Sequence, residues 1–141
     1  MTEPALRYER FLGRWALDPD SCAFEQGAPP QKSMIDISQS AGEVVIRMTL
    51  TDAEGQVHDT TFRGAPNGVP APFDGGILVD ALSIDTPADD RLDSAAFWKG
   101  EQLMTAMRTL SADGNRMEIV QTVRLPDETV LTNTSSYIRT A

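Results

Sequence analysis

The sequence predicts an all-β fold: a closed antiparallel up-and-down β-barrel of about eight to ten strands, entered through a short N-terminal helix. Apolar and polar residues alternate with a period of two, most clearly from Glu43 to Thr51, where Val44, Ile46, Met48 and Leu50 share one face. Turn signals such as Asp52-Ala53-Glu54-Gly55, Lys99-Gly100 and Ser111-Ala112-Asp113-Gly114 separate such runs. No crossover helix fits between them, so strands adjacent in sequence are expected to pair antiparallel. Closure removes exposed sheet edges, which suits a chain without a disulfide.

Pro4 to Leu12 reads as the helix: proline is tolerated in a first turn, and Ala5, Tyr8 and Leu12 fall at helical spacing. Gly13 ends it, and Arg14 to Leu17 form the first strand. Asp18 to Gln31, with Asp18-Pro19, Gly27 and Pro29-Pro30, reads as a long loop, either a solvated crossover at one barrel mouth or a lid. Strands follow at Met34 to Ser38, Glu43 to Thr51 and Gln56 to Arg63. Gly64 to Gly76, rich in Gly and Pro, is expected to be the most mobile internal segment and to border the open mouth. Ile77 to Ile84 is an apolar strand, and Asp85 to Asp90 a turn. Arg91 to Trp98, Gln102 to Leu110, Arg116 to Leu125 and Thr129 to Arg139 bring the count to about nine. Leu92, Ala96, Leu103, Met107 and Leu110 also lie near helical spacing. Gly100 would interrupt that helix at its centre, so two strands are preferred.

The 141 residues make one domain, residues 1–141, with enough chain to bury a core. The net charge of -9 repels phosphate backbones and anionic lipid, so neither nucleic acid nor a membrane surface is an expected partner. Cys22 is the only cysteine, so no intrachain disulfide forms and the fold rests on packing. Met1 to Pro4 lacks the basic start of a signal peptide, and no apolar run approaches the ~18 residues of a membrane span. The expectation is a cytoplasmic protein, monomeric or homodimeric. One histidine and one distant cysteine give no metal-ligand spacing. Phosphate-loop, dinucleotide and Gly-x-Ser-x-Gly motifs are absent, and no cofactor is expected.

Gly13-Arg14-Trp15 on the first strand, with Arg139 in Tyr137-Ile138-Arg139 on the last, resembles the Gly-x-Trp signature of lipocalin-like (calycin) barrels, small bacterial ones included. The resemblance implies that Trp15 plugs the closed end and that Arg139 packs over its indole. A guanidinium over an indole face gains roughly 0.5–2 kcal/mol. The Trp15-to-Ser21 segment and the turns at Asp52–Gly55 and Ser111–Gly114 also look like that family. Two departures stand out. The cysteine pairs of secreted lipocalins are missing, and so is the Gly-x-Trp-x-Gly-x-Gly run of haem-binding nitrobindin-like barrels.

Six residues are candidates for ligand binding: His58, Thr60, Asp80, Trp98, Arg108 and Gln121. His58, Thr60 and Phe62 share one face of their strand, opposite Asp59, Thr61 and Arg63, so His58 is a candidate lumenal base or ligand-orienting group. The alternative is a hydrogen-bonded structural histidine. Asp80 lies in the run Ile77 to Leu82. Either it faces inward and needs His58 or Arg108 as partner, or Val79 and Ala81 face inward and it is wet. Gln121 shares a face with Met117, Ile119, Val123 and Leu125, and could fix one end of an apolar ligand. Thr132 and Thr134 are further polar candidates. Trp98, Met104 and Met107 could line an adaptable pocket or simply pack as core.

Three functions stay open: a barrel holding a small apolar or amphipathic ligand; a small-barrel enzyme (isomerase, cyclase or hydratase) using His58 with a lumenal carboxylate; and a filled barrel acting by association. A fold alone does not choose between them.

Overall fold

The computed structural model describes residues 8–25, 27–73 and 79–140. A 3-10 turn, Glu9–Phe11, leads into β1 (Gly13–Phe24). Then come β2 (Lys32–Ser40), β3 (Glu43–Thr51), β4 (Val57–Gly64), the two-residue β5 (Ala71–Pro72), β6 (Ala81–Ala88), β7 (Arg91–Trp98), β8 (Glu101–Leu110), β9 (Arg116–Arg124) and β10 (Val130–Arg139). All ten form one sheet in the order β4-β3-β2-β1-β10-β9-β8-β7-β6-β5. Every neighbouring pair is antiparallel, as short turns dictate. The sheet curls until β4 meets β6. There Gly68 N–H donates to the Ile84 carbonyl at 2.8 Å, and a Cβ at Gly64 would meet Ile84 Cδ1 at 3.6 Å. The result is the nearly closed up-and-down barrel expected.

The period of two decides what lies inside. Val44 and Ile46 of β3 are buried while Arg47 and Thr49 are exposed. Residues directly opposite in an antiparallel pair share a face. Inward rows therefore continue as Ile35 and Ile37 on β2, Leu92 on β7, Leu110 on β8, and Met117 and Ile119 on β9, all buried. These side chains, with Phe11, Trp15 and Tyr137, fill the closed half of the barrel.

The closed end follows the Gly-x-Trp expectation. Trp15 is fully buried opposite Arg139, whose guanidinium carbon lies 4.3 Å from the indole centroid. The indole N–H donates to the Phe11 carbonyl at 3.0 Å. Arg139 donates to the carbonyls of Leu12 (2.8 Å), Gly114 (3.1 Å) and Arg10, tying the entry turn, the β8–β9 turn and the last strand together.

Several boundaries differ from expectation. The N-terminal helix is a single 3-10 turn in its described part, and Pro4 to Arg7 lie outside the described residues. Asp18 to Gln31 is not one loop, because β1 runs on to Phe24. Pro19 is accommodated because pairing with β10 breaks register between Asp18 and Ala23, and Ser21 bridges the break. Its hydroxyl donates to Asp18 O at 2.6 Å and accepts from Ser136 N–H at 2.8 Å. The strand expected at Ile77 to Ile84 begins at Ala81 and runs to Ala88. Its residues 77 and 78, and residues 74–76 of the expected mobile segment, lie outside the described residues. Gly64 closes β4, and Ala71–Pro72 make a short edge strand within the stretch expected to be irregular.

The turn aspartates stabilise the hairpins only while ionised. The His58 ring, then the Gln56 N–H, holds Asp52 below its ordinary 3.8. The Ser111 hydroxyl and Asn115 N–H do the same for Asp113, and Thr129 for Asp127. A carboxylate whose folded pKa is depressed contributes stability above its unfolded value and loses it as pH falls through the folded value. Denaturation midpoints are therefore expected to hold steady down to about pH 4 and to fall below it. A midpoint unchanged down to about pH 2 would contradict this origin of hairpin stability.

Candidate functional site

The open end is formed by the β3–β4, β7–β8 and β9–β10 turns, opposite Trp15. Along β8 the inward row rises from Leu110 through Arg108 and Ala106 to Met104. Its neighbours are Leu92, Ser94 and Ala96 on β7, and Ile119, Gln121 and Val123 on β9. Ser94, Ala96 and Ala106 on these rows are small, whereas Leu92, Leu110 and Met117 lower down are large. Above them a cavity of about 490 Å³ is lined by Val79, Trp98, Leu103, Met104, Val123 and Leu125, with Glu101, Arg124 and Glu128 at its rim. An apolar concavity with few polar groups is the usual form of a small-molecule site.

Arg108 is the unusual residue. It sits in the interior at 3% exposure and forms no salt bridge among the described residues. Its Nη1 donates to Ser94 Oγ at 3.0 Å, and its guanidinium carbon lies 5.9 Å from the Phe62 ring centroid. Among the described residues, its Nε is the buried side-chain polar atom without a hydrogen-bond partner. Desolvation pushes the guanidinium down to about 10, opposed by the charge of Asp93 and by Tyr137. It therefore remains a cation at neutral pH. Asp93 does not neutralise it directly, because that carboxylate is held on the outer face by Arg91 at 3.0 and 2.9 Å. Tyr137 donates to Ser33 Oγ at 2.9 Å, adding a hydroxyl pair to the same interior. Burial pushes the phenol up, and the bond to Ser33 opposes this.

The other expected residues divide. Gln121 faces inward as its row predicts, with Nε2 2.9 Å from Met104 Sδ. Trp98 lines the mouth cavity, under Lys99 Nζ at 5.4 Å from its ring. His58 and Thr60 are on the inward row, opposite Leu50 and Met48, but both are exposed. His58 is not enclosed among apolar groups. It lies at the hairpin tip, 54% exposed, with Nε2 2.8 Å from Asp52 Oδ2. Asp80 is exposed and accepts from the Lys99 backbone N–H at 3.0 Å, so the pairing expected with His58 or Arg108 does not form. Asp80 lies just before β6 on the row of Leu82 and Ile84, at the mouth end, and its backbone bonds to Phe97 and Phe73. Met107, Thr132 and Thr134 point outward, as their opposites Val120 and Thr122 do. Met107 therefore lines an outer-face groove of about 310 Å³ beside Arg91 and Thr105, not the interior.

Ser94, Ser33, Tyr137 and Asn133, which lies opposite Gln121, are further buried polar residues of the interior and were not singled out by sequence. Row parity signals three of them: Ser33 lies two residues from Ile35, Ser94 two from Leu92, and Tyr137 two from Arg139. No carboxylate–histidine pair occurs inside, and no group of metal-ligating side chains occurs among the described residues. No helix among the described residues is long and apolar enough to cross a membrane.

The fold is that of the lipocalin-like (calycin) barrels. A fatty-acid-binding protein of Schistosoma mansoni, solved with arachidonic acid, superposes with a TM-score of 0.62 at 12% identity, over 96% of this chain and 100% of its own. The zebrafish ileal bile-acid-binding protein with cholic acid gives 0.56 at 12%, covering 94% and 100%. The S-type phycobiliprotein lyase of Guillardia theta gives 0.60 at 14%, covering 95% and 90%. No family model matches the sequence, and no curated protein matches it.

Proposed function

We propose that this barrel binds a small amphipathic acid, its apolar body in the open half and its anionic head at Arg108. One observation carries the reading: a buried guanidinium with an unsatisfied Nε and, among the described residues, no ion-pair partner. An uncompensated buried cation is costly, and an incoming carboxylate would offset that cost while accepting two parallel N–H bonds. Four residue steps along β8 separate Arg108 from Met104, about 13 Å of strand, which suits a medium-length apolar body ending beside Trp98 and Leu125. The bound molecules of two similar barrels, arachidonic and cholic acid, are of this chemical kind. The unpaired Cys22 fits a cytoplasmic setting. The enzyme alternative has no geometric support, since the His58–Asp52 pair stands in solvent.

Displacement of a fluorescent apolar probe by dodecanoic acid and by dodecanol tests the reading. The acid is expected to bind at least about tenfold more tightly, the difference of one charge-assisted contact. Equal displacement by both, or by neither, would overturn it.

A further inference from the structure

The sheet has two edges, and they differ. β5 is two residues long and contains Pro72, whose nitrogen has no hydrogen to donate. Short, proline-bearing edges resist pairing with other chains. β4 is eight residues long, contains no proline, and is exposed from Val57 to Thr61 and at Arg63. Val57 alone is 67% exposed.

The hairpin fixes which of its backbone groups are free. Asp52 N–H donates to Gln56 O at 2.8 Å, so these two are a bonded pair. Bonded pairs alternate along an antiparallel ladder. His58, Thr60 and Phe62 are therefore the bonded partners of Leu50, Met48 and Ile46. The N–H and C=O groups of Val57, Asp59, Thr61 and Arg63 point off the sheet, and among the described residues no hydrogen bond to another backbone engages them.

We propose that β4 pairs antiparallel with β4 of a second copy of this chain, about a two-fold axis at Thr61. Thr61 then faces Thr61 of the second copy, and Asp59 faces its Arg63, in both directions. All of these positions carry free backbone groups, so three bonded pairs give roughly six hydrogen bonds. The charges on the outer face fit this register. Within one chain Arg47 holds Asp59 at 2.7 Å, and Arg63 holds Glu43 at 2.8 Å. Across the seam the order becomes Arg47, Asp59, then Arg63 and Glu43 of the second copy, alternating in sign. Centring the pair on Asp59 or on Arg63 instead would set like charges opposite each other, which is destabilising. Each chain brings two arginines, one aspartate and one glutamate to the seam. The contact itself is thus neutral, although each chain carries -9.

Sedimentation across a concentration series tests this with the native chain, Thr61→Pro and Arg63→Asp. Thr61→Pro removes an N–H that points off the sheet and leaves the β3 ladder complete. The native chain is expected to dimerise, and each variant to raise the dissociation constant at least about tenfold. Amide exchange supplies a readout independent of the variants' folding. Protection of Asp59, Thr61 and Arg63 is expected to rise with protein concentration, while that of His58, Thr60 and Phe62 stays constant. A native monomer at all concentrations, a dimer indifferent to both substitutions, or concentration-dependent protection elsewhere would overturn the proposal. So would β4 engaged by an extended segment of another protein while the chain itself stays monomeric.

Discussion

Trp15→Ala is expected to destabilise the protein by roughly 3–5 kcal/mol, the range for truncating a large buried aromatic side chain. The indole is fully buried, and the side chains around it are held by strands on every side, so the cavity cannot collapse freely. The change also removes the surface on which the Arg139 guanidinium lies and leaves the Phe11 carbonyl without its indole donor. Because Arg139 joins the entry turn to the β8–β9 turn, the loss is expected to appear as one cooperative shift in a urea titration. A loss below about 1 kcal/mol would mean that the closed end does not anchor the barrel.

Arg108→Met is expected to move stability and binding in opposite directions. Methionine fills much of the same space without a charge. Replacing a buried ion by apolar packing is often neutral or stabilising by about 1–4 kcal/mol. Arg108 has one hydrogen bond and an unsatisfied Nε, so the variant is expected to unfold at equal or higher urea concentration than the native chain. Affinity for dodecanoic acid should fall by about tenfold to a hundredfold, while affinity for dodecanol stays level or rises. Thermal melts and probe displacement on the same sample check both halves. A destabilised variant that retains its acid preference would make Arg108 a structural residue and remove it from the site.

Much of the fold was legible because one face of each strand is buried, which imposes the period of two. β3 and β7 occur at the expected bounds. The inward row of β4 was readable for the same reason, since His58, Thr60 and Phe62 sit opposite Leu50, Met48 and Ile46. Depth along a row was not readable. Facing inward near the mouth leaves His58 in water, while facing inward at the middle buries Arg108. Alternation gives the side of a strand but not its distance from the barrel end. The extension of β1 through Pro19 was hidden because a bulge accepts a proline that a regular ladder rejects. The facing of Asp80 stayed open because the apolar run around it shows no alternation, and in the structure it is exposed beside the Lys99 N–H.

The charge state of a bound ligand tests the central claim most directly. Dodecanoic acid labelled with ¹³C at its carboxyl carbon reports ionisation through its chemical shift. If the head group lies against Arg108, the guanidinium favours the anion and the bound carboxyl stays ionised at lower pH than the free acid. In Arg108→Met the same carboxyl, now in an apolar interior, should titrate at higher pH than the free acid. A bound carboxyl that titrates as it does in water, unchanged by the substitution, would place the head group in solvent and contradict the account.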